Sequence, residues 1–244
     1  MTLTSLPDGY RAAVFGASGG VGQALVAALQ RDPRCAGVHA GSRRPQDGAD
    51  SAKVSAFAFD LADEASIAAA SETIGAPDLV IVATGRLHGP GLSPEKSLRA
   101  IESTSLHEAF AINSIGPAMI ARHVLPRLPR TRRTLFAALS AKVGSISDNR
   151  LGGWHSYRAS KAALNMLIRT VAIELSRTHP ETVCVALHPG TVDTPLSKPF
   201  QAGVASERLF SPETSANHLL SVLDNLRPEN SGRLFGWDGQ EITP

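Results

Sequence analysis

Short apolar runs alternate along the chain with longer stretches whose apolar positions recur every three or four residues, the pattern of a parallel sheet covered by helices on both faces. Strands are predicted at 12–15, ending near Ala40, at 54–59, 78–83, 135–139 and 183–187, with a short one around 233–235. The run 78–83 is apolar almost throughout, as expected of a strand buried on both sides. Helices are predicted over 21–30, 106–125, 157–176 and 212–226. Residues 86–94, rich in glycine and proline, and 191–210, which lack a clear period, form irregular connections and are the loops expected to carry ligand specificity. The expected fold is α/β, a Rossmann-type doubly wound parallel sheet flanked by helices, in one domain spanning 1–244.

Gly16, Gly20 and Gly22 of the run GASGGVG stand between the first strand and the first helix. A nucleotide pyrophosphate placed there meets free backbone N–H groups and the positive end of the helix dipole, and a Cβ would block its approach. A plain tight turn also uses glycines. The carboxylate that binds the ribose hydroxyls of NAD is expected about 20 residues further on, at the end of the second strand. That window reads Ala40, Gly41, Ser42, Arg43, Arg44: no acid and two guanidiniums, which suit the extra phosphate of NADP better than NAD. The alternative is two solvated arginines on a loop.

In YRASKAALNML, Tyr157 and Lys161 lie four residues apart on a predicted helix, so both point to one face about 6 Å apart along the axis. A phenol with its ordinary pKa near 10 is a poor acid or base at neutral pH, and a nearby ammonium favours the phenolate. Asn113 precedes Pro117 by four residues, and a proline there cannot donate to the Asn113 carbonyl, leaving that oxygen free inside a helix.

The G-x-x-x-G-x-G spacing, the Tyr-x-Ala-Ser-Lys-Ala-Ala segment after the fifth strand and the helical Asn113 together resemble the short-chain dehydrogenase/reductase family. The runs GSISDN, GGWHSYRASKAALNM and SGRLFGWDGQ are similar to its C-factor-like and sniffer-type carbonyl reductase branch. The resemblance implies an NADP(H)-dependent oxidoreductase that interconverts a carbonyl and an alcohol. Tyr157 would be the proton donor or acceptor, Lys161 would bind the nicotinamide ribose and Asn113 would help hold a relay water. Ser18 and Val21 in the glycine loop, and Asp60 and Leu61 after the third strand, take cofactor-binding positions, Asp60 toward the adenine or as the cap of the next helix. Ala83, Thr84 and Gly85 stand where the family has an asparagine-alanine-glycine turn, and the asparagine is missing. Pro189, Gly190, Val192 and Thr194 match the segment that contacts the nicotinamide. The family's serine after the fifth strand falls on Ala141, so Ser140, with Ser145 as the alternative, is the candidate for binding the substrate carbonyl.

An apolar fraction of 43% and a charged fraction of 19% are those of an ordinary globular protein, and the net charge of +2 argues against nucleic acid or an anionic membrane as partner. The cluster Arg127, Arg130, Arg132 and Arg133 reads as a solvated connection. Cys35 and Cys184 lie far apart and form no disulfide framework or metal site. No run approaches the roughly 18 apolar residues of a membrane helix, and the first ten residues show neither a basic leader nor an apolar core, so a soluble cytoplasmic protein is expected. Ala159, Ala162 and Ala163 on the catalytic helix would let a second helix approach closely, as in a homodimer or homotetramer, or would pack against the sheet. The competing function is a nucleotide-binding sensor of C-factor type with little turnover. An epimerase or dehydratase is disfavoured by Arg43 and Arg44.

Overall fold

The computed structural model describes residues 1–45, 52–89 and 92–244. Strands β1 (Tyr10–Phe15), β2 (Cys35–Ser42), β3 (Val54–Ala58), β4 (Leu79–Val82), β5 (Thr134–Leu139), β6 (Thr182–His188), β9 (Leu234–Gly236) and β10 (Glu241–Ile242) form one sheet in the order β10-β9-β6-β5-β4-β1-β2-β3. A separate pair, β7 (Thr191–Val192) and β8 (Leu209–Phe210), lies within the irregular stretch. All pairings of the large sheet are parallel except β9 with β10. Every residue of β4 and of β5 is buried, as a central parallel strand requires when helices cover both faces.

Helices α1 (Gly20–Arg31) and α6 (Pro212–Asn225) cover one face, where Leu25, Leu29, Leu219 and Leu223 pack on Val14, Ile81 and Val185. Helices α2 (Glu64–Ile74), α4 (Gly116–Val124) and α5 (His155–Leu175) cover the other, through Ile67, Ile120, Leu164 and Ile168. Under them Phe15 meets Phe57 and Phe59 edge to face, with ring centroids 5.1 and 5.0 Å away. Each fully buried side chain of this kind contributes about 1.5–3 kcal/mol.

Several elements depart from the sequence pattern. The helix predicted over 106–125 is α3 (Ser103–Phe110), a π turn over Ala111–Ile115, and α4. Pro117 supplies the cause: it lacks the N–H that the regular ladder needs, and an inserted residue re-routes the turn around Asn113. Strand β4 starts one residue late because Asp78 turns its carboxylate to the N–H of Arg11 at 3.0 Å and to Arg132 Nε at 2.8 Å. Arg132 is thereby an ion-pair partner, Arg127 pairs with Glu72 at 3.5 Å and Arg133 donates to the carbonyl of Leu226, so three of the four arginines of the basic cluster are spent on structure. Asp63, not Asp60, caps α2, accepting from Ala65 N. On α5, Leu164, Ile168 and Ala172 face the sheet, whereas Ala159 is exposed and does not pack against it. Among the described residues no helix is long and apolar enough to cross a membrane.

Candidate active site

The carboxyl ends of β1, β4, β5 and β6 open into a cavity of about 520 Å3, at the place where the strand order reverses direction. Ser18, Gly20 and Val21 enter it from the loop after β1, and Ala83, Thr84 and Gly85 from the turn after β4. Ser140 lies on the loop after β5, and Tyr157 and Lys161 on α5. Pro189, Gly190, Val192 and Thr194 line it beyond β6.

Gly16 and Gly22 stand behind the loop and shape it. Gly16 has φ 91°, and a Cβ there would lie 3.0 Å from the Ala83 carbonyl, while a Cβ on Gly22 would overlap the carbonyl of Gly16. Gly19, the cap of α1, has no side chain to offer, so the first N–H groups of the helix face the cavity side uncapped. Thr84 Oγ1 is buried without a hydrogen-bond partner among the described residues, and Gly20 packs so tightly against Thr194 that a Cβ would come within 2.7 Å of it. An open helix N-terminus, a glycine floor and an orphaned hydroxyl form a cradle that fits the phosphates and ribose of a dinucleotide.

Ser42 is buried at the end of β2, and Arg43 and Arg44 follow it, both exposed. Asp60 is exposed, its carboxylate accepting from Ala62 N at 2.9 Å, and Leu61 packs on Gly116 of α4. These five residues flank the cradle on the β2–β3 side and do not line the cavity itself. Gly190 lines the cavity and also has a structural task. Its φ is 78° and a Cβ would strike Phe210 at 2.7 Å, so glycine is needed there for the turn and for the Phe210 ring, before any ligand is considered.

Tyr157 and Lys161 line the same wall, with Lys161 Nζ 5.8 Å from the Tyr157 ring centroid. Nζ donates to the carbonyl of Leu139 at 2.8 Å. Burial pushes the Lys161 ammonium down to about 7 and the Tyr157 phenol up to about 12. The phenol therefore moves away from the phenolate that the sequence reading expected, because desolvation acts on both groups and a lysine that sheds its own charge gives little support to an anion.

The Asn113 side chain is fully buried and engaged. Its Oδ1 accepts from Arg86 N at 2.8 Å, and its Nδ2 donates to Arg86 O at 2.9 Å and to Ser160 Oγ at 3.1 Å. These bonds support the turn after β4 that lacks the family's asparagine. A Cβ on Gly85 would lie 3.7 Å from both Asn113 Oδ1 and Lys161 Nζ, so both side chains reach the turn after β4.

Ser140 lines the cavity, but its hydroxyl donates to Asn165 Oδ1 at 2.7 Å. Ala141 also lines the cavity. Ser145 belongs elsewhere: it lines a separate cavity with Ala159 and His155, and its hydroxyl donates to the carbonyl of Thr243.

The segments 86–94 and 191–210, where substrate specificity is expected, supply Leu87, Leu196 and Phe200 to the cavity, while Val143 and Trp154 carry no signal in the sequence. On this side Trp154 and Phe200 stand at 4.9 Å and His88 and Phe200 at 5.6 Å between ring centroids. His88 Nε2 donates to the carbonyls of Pro195 and Leu196 at 3.0 and 3.1 Å, fastening the two walls together. His188, whose Nδ1 is buried without a partner among the described residues, is pushed by burial down to about 4 and stays neutral. No local period announces these contacts, since they join residues far apart in sequence, 107 and 108 positions for the bonds of His88.

The family model of short chain dehydrogenase matches residues 11–205. C-signal of Myxococcus xanthus is 35% identical over 147 residues, 60% of this chain and 82% of that protein. Several other curated relatives are matched over only 54% to 64% of their length. The carbonyl reductase Sniffer of D. melanogaster superposes with a TM-score of 0.82 at 21% identity, covering 96% of this chain and 99% of that one. An NADPH-bound carbonyl reductase from chicken fatty liver gives a TM-score of 0.82 at 24% identity, covering 99% and 96%. Motif order, sheet order and family match agree over most of the length, and the chain belongs to the short chain dehydrogenase family of oxidoreductases.

Proposed function

We propose that the protein is an NADP(H)-dependent reductase of small-molecule carbonyl compounds, running toward the alcohol or in reverse. The reading is carried by the convergence of Tyr157, Lys161 and Gly85 with the glycine cradle on one cavity wall. Arg43 and Arg44 favour the doubly charged ribose phosphate of NADP, and the structural relative from chicken binds NADPH. Ser18, Gly20 and Val21 would hold the pyrophosphate, Ser42, Arg43 and Arg44 the ribose phosphate, Asp60 and Leu61 the adenine side, and Pro189, Gly190, Val192 and Thr194 the nicotinamide side.

When bound, the dinucleotide supplies the hydride. Tyr157, neutral up to about pH 12, gives its phenolic proton to the substrate oxygen as negative charge develops there. Negative charge in the cavity favours the ammonium form of Lys161, which then steadies the phenolate left behind. Pro117 cannot donate to the main-chain oxygen of Asn113, which would accept from a relay water, and the Asn113 side chain keeps the β4 turn in place. Trp154 and Phe200 exclude water from the substrate side.

The test is NADPH oxidation with a panel of aldehydes, ketones and quinones. Tyr157→Phe is expected to lower turnover roughly 10²- to 10⁴-fold with NADPH binding retained, and a variant with full turnover removes Tyr157 from the chemistry. Because Ser140 is spent on Asn165, the sensor reading stays in the comparison; it predicts that NADPH binds and no carbonyl is reduced.

A further inference from the structure

Helix α5 begins in an unusual way. Gly152, Gly153 and Trp154 are three successive residues with positive φ, at 63°, 65° and 52°, and Trp154 is the one non-glycine among the described residues in that region. A side chain there is disfavoured, and strain of this kind persists only where neighbours over-determine it. Trp154 is also the cap of α5, and an indole cannot accept from the helix's open N–H groups.

Glu95 does both jobs from 61 positions away in sequence. Its main-chain oxygen accepts from Trp154 N at 2.6 Å. One carboxylate oxygen accepts from Ser156 N at 3.1 Å and the other from the Ser156 hydroxyl. Glu95 is 4% exposed, and among the described residues no lysine or arginine pairs with it. A buried carboxylate is costly unless its lone pairs are satisfied, and here the helix N-terminus satisfies them. The result is a fixed indole: Trp154 stands edge-on to Tyr157 at 6.2 Å and to Phe200 at 4.9 Å, and all three line the cavity. The same loop is pinned at its other end by Asn113 on Arg86.

We propose that Glu95 is a positioning residue for the reaction: by capping α5 it sets the left-handed Trp154 and the phenol of Tyr157 relative to each other, tying the loop after β4 to the catalytic helix. Glu95 lines no part of the cavity and acts through Trp154 and Ser156. The inference rests on Tyr157 as the proton donor.

Trp154 and Trp237 are the only tryptophans in the chain, so Trp237→Phe provides a background in which emission reports on Trp154 alone. In that background Glu95→Gln and Glu95→Ala are compared with Asp224→Asn, which weakens an analogous carboxylate tie, to Ser5 N at 2.7 Å and Thr4 Oγ1 at 2.8 Å, away from the cavity. The Glu95 variants are expected to red-shift Trp154 emission, to raise its acrylamide quenching and to lower kcat about tenfold, with the NADPH dissociation constant within about twofold of the parent. Asp224→Asn should leave emission and kcat as they were. Unchanged emission, quenching and kcat in Glu95→Gln overturn the proposal, as does the same loss in Asp224→Asn. If Glu95→Ala does not fold, Glu95→Gln and Ser156→Ala carry the same comparison. Emission and quenching need no substrate, so a parent protein that reduces no carbonyl counts against the reading of Tyr157 and leaves the tie to Trp154 to be judged by fluorescence.

Discussion

Replacing Lys161 with methionine should make the protein more stable and inactive at once. The lysine is 2% exposed, and burial alone carries its ammonium from the ordinary 10.5 down to about 7. At about 1.4 kcal/mol per tenfold change in proton affinity, folding with this lysine costs on the order of 4 kcal/mol more at pH 7 than at high pH. Methionine fills similar space without the charge but leaves the Leu139 carbonyl without its 2.8 Å partner, a loss of about 1–3 kcal/mol. The net gain is about 2 kcal/mol, or roughly 4–8 °C in Tm for a chain of this size. The folded-state value lies below the unfolded one, so the lysine's contribution is intact above about pH 10.5 and is lost as pH falls toward 7. The Tm gap between Lys161→Met and wild type should therefore be widest near pH 7 and close as pH approaches 10; Tyr157 is common to both proteins and cancels. Thermal melts from pH 6 to 10 read this directly. A variant that melts at or below wild type at pH 7, or a gap independent of pH, refutes the argument.

Removing both guanidiniums, Arg43→Ala with Arg44→Ala, should weaken NADPH binding about 10- to 100-fold and leave NADH binding nearly unchanged, as measured by fluorescence titration; equal losses for both would mean the arginines do not read the phosphate. Ser140→Ala should keep kcat within about threefold, because the hydroxyl serves Asn165, while lowering Tm by a few degrees, about 1 kcal/mol of lost hydrogen bonding. A collapse of kcat at unchanged Tm would instead return Ser140 to the substrate.

The pattern of apolar positions announces the sheet and its principal helices because each rests on local periodicity, and Tyr157 with Lys161 is visible because four residues make one helical turn. The motif and Pro117 make Asn113 legible as a candidate. Its side-chain bonds to Arg86 are not legible, since they need the β4 turn to be brought against a helix 27 positions later. The π turn was half announced by Pro117, which signals a broken ladder without saying how the chain repairs it. The direction of the Tyr157 shift was misread because a spacing argument contains the neighbouring charge and omits the desolvation that three-dimensional packing adds. Glu95 looked like any loop acid until the fold set it over α5.

The two walls of the cavity are built to different standards. Tyr157 and Lys161 stand on a 21-residue helix packed into the core, whereas Phe200 is carried by a stretch anchored through a two-residue strand pair, the short turns around it and the imidazole of His88. Substitutions in that stretch reshape what is admitted without disturbing the groups that move the proton. Selection for a new substrate thus has a region to work on whose failures leave the chemistry intact, which makes this half of the cavity the place where close relatives should diverge in diet while agreeing in reaction.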